Sequence, residues 1–475
     1  MTQPAKKKEL LAALPPPWPE DLTPMIRQTV AAYRRKLVVL DDDPTGTQTV
    51  HEVPVLTVWD TESLRAEMAN DGSCFYILTN SRSLDAEAAR NLNREIAVNL
   101  KAAAQAAHRD FAVVSRSDST LRGHYPAETD VLDADLGPFD ATLLIPYFEA
   151  GGRYTIADIH YVAEGEDLIP AAETPFARDP VFGYRRSNLR DWVEEKTGGR
   201  VKAAEVRSIP VERLRQGDSR HEPTRAVTVE LLGLPRGSVC LVNACHPRDL
   251  EFFALGSLVA EQAGARFLYR TAAQFVAARL GLPPRPLLSG AELRGGGDVG
   301  GLIIAGSHVP KTTAQLVALG ADALLASLEL PVAALLQAQG DREIARVSAA
   351  VNEALRQGRD ALVYTSRELV TASEASGSLA IGRRVSAALV EIVRRLAIRP
   401  RYLLAKGGIT SSDIATHGLG IRRARVLGQL LPGVPVWETG PETVFPGLPY
   451  VVFPGNVGGP EALREARRIL RHGLW

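Results

Sequence analysis

The chain has 475 residues, 45% of them apolar and 23% charged. That balance excludes disorder as the main state and predicts two or three domains, each with its own core. Its 55 Lys and Arg match 55 Asp and Glu, for a formal net charge of zero, which argues against a protein that coats nucleic acid.

The N-terminal stretch has lysines and a short apolar patch broken by prolines, without the long apolar core of a secretory signal. Residues 1–35 read as an extension, with a stiff PPPWP stretch followed by a short helix over TPMIRQTVAAYRRK. From residue 36 onward, short apolar runs recur: LVVLDDD, VPVLTVW at 53–59, FYILTN at 75–80, FAVVSRSD at 111–118 and ATLLIPYF at 141–148. Helix-like stretches such as AEAARNLNREIAVNLKAAAQAAH lie between them. Buried strands alternating with amphipathic helices predict an α/β fold with largely parallel sheets. Segments 195–225 read as surface loops, SVCLVNACH as a further strand and DLEFFALGSLVAEQAG as a helix. The Gly- and Pro-rich stretch 281–299 reads as a linker. After it the alternation restarts with GGLIIAGS, DALVYTS, RYLLAKGG and PYVVFPGNVGG as strands, and EALREARRILRHGLW closes the chain as a helix. The expected division is an extension 1–35, a first α/β domain 36–280, a linker 281–299 and a second α/β domain 300–475.

Cys74, Cys240 and Cys245 are too few for a disulfide framework and form no CxxC pair. No apolar run approaches the roughly 20 residues of a membrane span. A cytoplasmic protein with a small-molecule substrate is expected, with neither nucleic acid nor membrane as partner; a homodimer is compatible with this reading.

In parallel α/β sheets, ligands bind beyond the carboxyl ends of the strands, and that is where the polar clusters fall. The LVVLDDDPTGTQ run places three carboxylates at a strand end, with Gly46 permitting a tight turn and Thr45 and Thr47 adding hydroxyls. A substrate site with one of these aspartates as base or metal-water ligand competes here with a solvated turn capped by an Asp. In SRSDSTLRGHYP, Arg116 and Arg122 flank Asp118, with Ser117, Ser119 and Thr120 between. Guanidinium forks suit a carboxylate or phosphate and hydroxyls suit a sugar, so a polyhydroxylated acid would use both. The competing reading is a capped helix start with a surface ion pair. TNSRS at 79–83 repeats the theme with Arg82, and His124 follows the second cluster as a further substrate contact. The other histidines have no metal-binding spacing. Adjacent Cys245 and His246 point to opposite faces of a strand and are discounted as a nucleophile pair.

The second half carries glycine turns at three strand ends: Gly306-Ser307, Gly407-Gly408 with Thr410, and Phe453-Pro454-Gly455-Asn456. Backbone NH groups at such turns can hold phosphate oxygens, and Lys311 adds charge. The GxxxxGK[ST] pattern is absent, and glycine at a strand end commonly serves only to end the strand.

Taken in order, DDDPTGT, SRSDSTLRG, TPFARDPVFGYRRSNLRDWV, AGSHVPKTTAQL, KGGITSSDIA and VFPGNVGG resemble the four-carbon acid sugar kinases over about residues 36–470. The resemblance implies an N-terminal sugar-acid-binding domain and a C-terminal nucleotide-binding domain, and an activity that phosphorylates tetronates or 3-oxo-tetronates with ATP. It implies substrate contacts at Asp42, Asp43, Thr45, Gly46, Asp118, Ser119, Thr120 and Arg122. It also implies ATP contacts at Ser307, Gly407, Gly408, Thr410, Phe453, Pro454, Gly455 and Asn456. Three places depart from the family pattern: Val309 replaces a small hydroxyl residue, Ile409 replaces the acid of a GGET turn, and Arg270-Thr271-Ala272-Ala273-Gln274-Phe275 replaces a glycine-rich segment.

On this reading Arg122, with Arg82 or Arg116, faces the carboxylate of the acid. Asp42, Asp43 or Asp118 takes the proton of the attacking hydroxyl, and Mg²⁺ bridges the ATP phosphates. A metal-dependent sugar-acid aldolase or dehydratase would instead act without ATP, and a non-catalytic sugar-acid sensor would bind without turnover.

Overall fold

The computed structural model describes residues 4–217, 222–293, 298–306, 309–320, 322, 324–337, 339–367 and 375–472. The chain divides into two compact units, Met1–Val50 with Val58–Pro284, and His51–Thr57 with Arg285–Trp475.

In the first unit, strands run parallel in the order Arg207–Ile209, Ser238–Val242, Ala141–Ile145, Phe267–Thr271, Phe111–Arg116, Lys36–Asp41 and Cys74–Leu78. The central ones are buried along their whole length, and this is why they read as continuous apolar runs. The 22-residue helix Ala86–Ala107 turns a stripe of Ala89, Ile96, Ala97, Leu100 and Ala103 inward and its charged residues outward. Asp85 caps its start by accepting from the Ala88 N–H at 2.8 Å.

A smaller antiparallel sheet of Ala5–Lys6, Asp167–Pro170, Ile159–Glu164 and Arg153–Ile156 belongs to the same unit. The N-terminal residues are built into this unit. Ala5 pairs with Leu168, and the helix Thr23–Tyr33 packs Ile26 and Val30 against the helices Pro247–Gln262 and Ala273–Leu280.

In the second unit, parallel strands run in the order Leu325–Leu330, Asp360–Thr365, Leu302–Ala305, Leu403–Lys406 and Pro449–Phe453. The sheet then continues antiparallel through Val434–Thr439, Arg423–Leu431 and Pro54–Leu56. The 53–59 run, expected among the strands of the first domain, therefore supplies an edge strand to the second unit. Asp360 lies at the buried amino end of its strand, where it binds Arg467 at 2.6 Å and Arg471 at 3.0 Å and ties the C-terminal helix Ala462–His472 to the sheet.

Candidate active site

The first unit's parallel register brings Asp41 beside Arg116, each the last residue of its strand. Arg116 donates from Nη1 to Asp41 Oδ1 at 2.8 Å and lies 3.6 Å from Asp42 Oδ1. Next in the chain, Asp42 is 2% exposed. Its Oδ2 accepts from Ser117 Oγ at 2.6 Å, while Oδ1 stands 3.4 Å from Arg82 Nη2 and has no hydrogen-bond partner among the described residues. Asp43 caps the short helix Pro44–Thr49 by accepting from the Thr45 N–H at 2.8 Å, and its other oxygen pairs with Arg82 at 2.8 Å. Asp118 binds Arg122 Nε at 2.7 Å, the Thr120 hydroxyl, and Arg82 at 3.4 Å.

These environments separate the four carboxyls. Burial pushes Asp41 up to about 7, even with Arg116 beside it. Burial also raises Asp42, against the pull of Arg82 and Arg116. For Asp43 and Asp118, burial is outweighed by neighbouring guanidinium groups and hydrogen bonds, and both are held below the usual carboxylate range. Carboxyls pushed apart in this way can take different roles in proton transfer. Gly46 is needed beside Asp41: a Cβ there would stand 2.1 Å from Asp41 Oδ2.

Behind this layer, Arg270 donates from Nη1 to Ser115 Oγ and to Glu128 Oε2, both at 2.7 Å, and Glu128 also accepts from the Ser81 hydroxyl. The loop 117–123 is fixed from another side. His160 Nε2 lies 2.8 Å from the Ser119 carbonyl, and its Nδ1 lies 3.0 Å from Thr155 Oγ1. Tyr184 donates its hydroxyl to the Thr120 carbonyl at 2.8 Å. The His160 contacts place the proton on Nε2, and burial lowers its pKa to about 4, so the ring stays neutral near pH 7. Just past these anchors Leu121 adopts φ 68° and Gly123 φ 122°.

The second unit's strand ends carry turns rather than a charge network. Gly407, with φ 115°, starts the short helix Gly408–Asp413 and donates its N–H to the Phe453 carbonyl at 2.8 Å. Gly306 sits against Thr410: a Cβ there would stand 2.5 Å from Thr410 Oγ1. Lys406, fully buried, donates to the Pro454 carbonyl at 2.6 Å and lies 4.0 Å from the Phe453 ring centre. Burial, with Lys311 adding to it, lowers its pKa to about 7. Lys311 donates to the Asn456 carbonyl at 3.1 Å, and Thr312 to that of Gly455 at 3.3 Å.

The structure thus brings Asp42, Asp43, Thr45, Gly46, Arg82, Arg116, Asp118, Ser119, Thr120 and Arg122 to one edge of the first unit. Gly407, Gly408, Thr410, Pro454, Gly455 and Asn456 converge at one edge of the second, where Phe453 turns its side chain into the core. Ser307 lies outside the described residues. Arg116 is a buried ion-pair partner of Asp41 and Asp42 rather than an open guanidinium. His124, expected as a substrate contact, is buried and has its Nε2 3.1 Å from the carbonyls of Ser81 and Leu84. Sequence reasoning passed over Asp41, Glu128, His160, Arg270 and Lys406. For Lys406 and Arg270 a signal existed, since each is a lone cation in an otherwise apolar strand. Among the described residues no three His, Cys, Asp or Glu side chains group as a metal site. The side chains described at the second unit's turns are Lys311, Thr312, Lys406 and Thr410, none of them a carboxylate, so a Mg²⁺ there would be held by the nucleotide phosphates and water. No helix among the described residues is long and apolar enough to cross a membrane.

Residues 37–279 match the sugar-binding N-terminal domain, and residues 302–463 match the nucleotide-binding C-terminal domain. A 3-oxo-tetronate kinase of Methylobacterium radiotolerans is 30% identical over 397 residues, which is 81% of this chain and 86% of that protein. Two solved structures share the fold at 17% identity. A Haemophilus influenzae protein of family DUF1537 has a TM-score of 0.63 over 91% of this chain and 100% of its own. A Salmonella typhimurium LT2 protein has a TM-score of 0.66 over 91% and 99%. With both domains matched in order, and a relative aligned across most of its length, the chain belongs to the four-carbon acid sugar kinase family.

Proposed function

We propose that this protein is a sugar-acid kinase that transfers the terminal phosphoryl group of ATP to a hydroxyl of a four-carbon acid, a tetronate or 3-oxo-tetronate. The observation that carries the reading is the split chemistry of the two strand-end clusters, set beside the sugar-acid kinase relative. One cluster is made of carboxylates, arginines and hydroxyls, and the other of glycine turns with lysines.

In this mechanism Arg122 holds the carboxylate of the acid, and Ser119 and Thr120 orient its hydroxyls. Asp42 is the base. Its pKa is raised by burial, and its Oδ1 has no hydrogen-bond partner among the described residues. It accepts the proton of the attacking hydroxyl as the new P–O bond forms and ADP leaves with the electrons of the broken bond. Arg82 and Arg116 hold Asp42 in place and keep its ionised form accessible. The turns at Gly407–Thr410 and Pro454–Asn456, with Lys406 and Lys311 beside them, receive the phosphates. Mg²⁺ bound to those phosphates would neutralise charge on the transferred group.

A coupled ADP-release assay over D- and L-threonate, D- and L-erythronate and 3-oxo-tetronate tests this. ATP-dependent turnover of at least one acid is expected. Consumption of an acid without ATP, or binding without turnover, would overturn it.

A further inference from the structure

The β-hairpin sheet of the first unit contributes a cation that the mechanism above leaves unused. Arg153 opens the strand Arg153–Ile156, just after the segment YFEAGG. Its guanidinium packs on the Phe176 ring, 5.2 Å from the ring centre, and Arg122 packs on the same ring at 5.1 Å. Among the described residues Arg153 forms no ion pair, and its side chain donates no hydrogen bond; its Nε is buried without a partner. Burial lowers its pKa, Asp118 raises it and Arg122 lowers it again, so the three groups feel one another's charge.

The other guanidinium groups here are committed. Arg116 is bound to Asp41, Arg82 to Asp43, Arg270 to Glu128 and Arg122 through its Nε to Asp118. A cation–π contact offsets part of the desolvation of Arg153 but satisfies none of its N–H donors. Leaving the Nε donor buried and unpaired costs free energy that an arriving anion could recover.

We propose that Arg153 is a substrate-binding residue, forming with Arg122 a two-arginine clamp on the Phe176 ring that receives the carboxylate of the sugar acid. This rests on the sugar-acid reading of the first unit and assigns its carboxylate-recognition point. Phe176 lies in the short helix Pro175–Arg178, within the TPFARDP segment, so that segment gains a role: its aromatic ring spaces two cations that would otherwise repel. Asp179 Oδ2, 3.8 Å from Arg122 Nη1, holds the second arm of the clamp from the same segment.

The test is calorimetric binding without ATP, using the four threonate and erythronate stereoisomers, 3-oxo-tetronate and, as an uncharged control, threitol and erythritol. The wild-type protein should bind at least one acid and discriminate against the matching polyol. Arg153→Met should lose that discrimination, binding the acid about 10–150-fold more weakly, with its affinity for ATP unchanged. Arg153→Lys keeps the charge and the stem on Phe176 but loses the fork. It should fall between the two, and it decides the matter if Arg153→Met fails to fold. Equal acid affinity in wild type and the folded Arg153 variant would overturn the clamp and leave the sugar-acid reading standing. A wild-type protein that binds none of the acids would overturn both.

Discussion

The carboxyl ends of the two parallel sheets are furnished with different materials. In the first unit Asp41, Asp42, Asp43 and Asp118 are interleaved with Arg82, Arg116 and Arg122, so every buried charge leans on a neighbour. In the second, the chain itself does most of the shaping, through Gly306, Gly407 and the Pro454–Asn456 turn, with Lys406 and Lys311 fastened to backbone carbonyls. A network of paired charges fails when one member is deleted, because the survivor is left in a poorly solvated place. A turn fails when an atom is added where the backbone must come close or adopt a left-handed φ. The two edges should therefore be vulnerable to opposite kinds of substitution.

The sharpest break is Asp42→Asn. It keeps the shape and the Ser117 contact but removes the proton acceptor, and kcat should fall about 10²–10⁴-fold with the circular dichroism spectrum unchanged. Full turnover would transfer the base to Asp43 or Asp118.

Arg116 and Arg122 divide the network into support and contact. Arg116→Met leaves Asp41 and Asp42 short of their shared cation and should lower unfolding stability by about 3–5 kcal/mol in urea titrations. Arg122→Ala, at a more exposed pair, should leave the unfolding midpoint close to wild type while raising the KM for the acid about 10–150-fold. Equal stability loss in both would erase the distinction.

On the other edge, Gly407→Val adds a β-branched side chain at φ 115°. The strain, about 1–3 kcal/mol, should appear as weaker ATP binding in calorimetry, with acid binding untouched. Equal loss of both affinities would indicate general misfolding instead.

The mildest effect expected is that of His160→Gln, which can still donate to the Ser119 carbonyl. Burial holds His160 at about 4 in the folded protein, whereas the unfolded chain takes up the proton near 6.5. This group's stabilisation is therefore complete above about pH 6.5 and is lost as pH falls from there toward 4. The variant should lack that part of the pH dependence, measured as the difference between urea midpoints at pH 7 and pH 4.5. Identical differences in the two proteins would remove His160 from the acid response.

How far this was legible in the sequence depends on whether a feature is local. The strands Lys36–Asp41, Phe111–Arg116 and Leu403–Lys406 announced themselves because burial on both faces requires unbroken apolar runs. The glycine turns after them were equally plain. What separates Asp41, Asp42 and Asp43 is invisible in a DDD triplet: it comes from which arginine the parallel register sets beside each, and from the cap Asp43 gives to Pro44–Thr49. Of the capped turn, the cap is present at Asp43, but the turn is not solvated: Asp41 and Asp42 are buried, and Asp42 is an underbonded carboxyl. His160 and Tyr184 could not be found because they act on carbonyls some 40 and 60 positions away in the chain. The short strand Pro54–Leu56 misled for the same reason. Its apolar pattern was right, but its partner, Arg423–Leu431, lies far along the sequence.

That strand bears on how such a protein could be taken apart or recombined. Because His51–Thr57 is threaded into the second unit, a chain severed near residue 284 would not release two self-sufficient halves. The C-terminal piece would lack the cover over Arg423–Arg425, leaving a row of unpaired main-chain groups on an open sheet edge, a ready template for association between copies. A hybrid made by exchanging C-terminal halves between relatives would inherit an edge strand from one parent and its partner from the other. Its solubility would then report how well the main chains of the two parents mate before any chemistry could be compared.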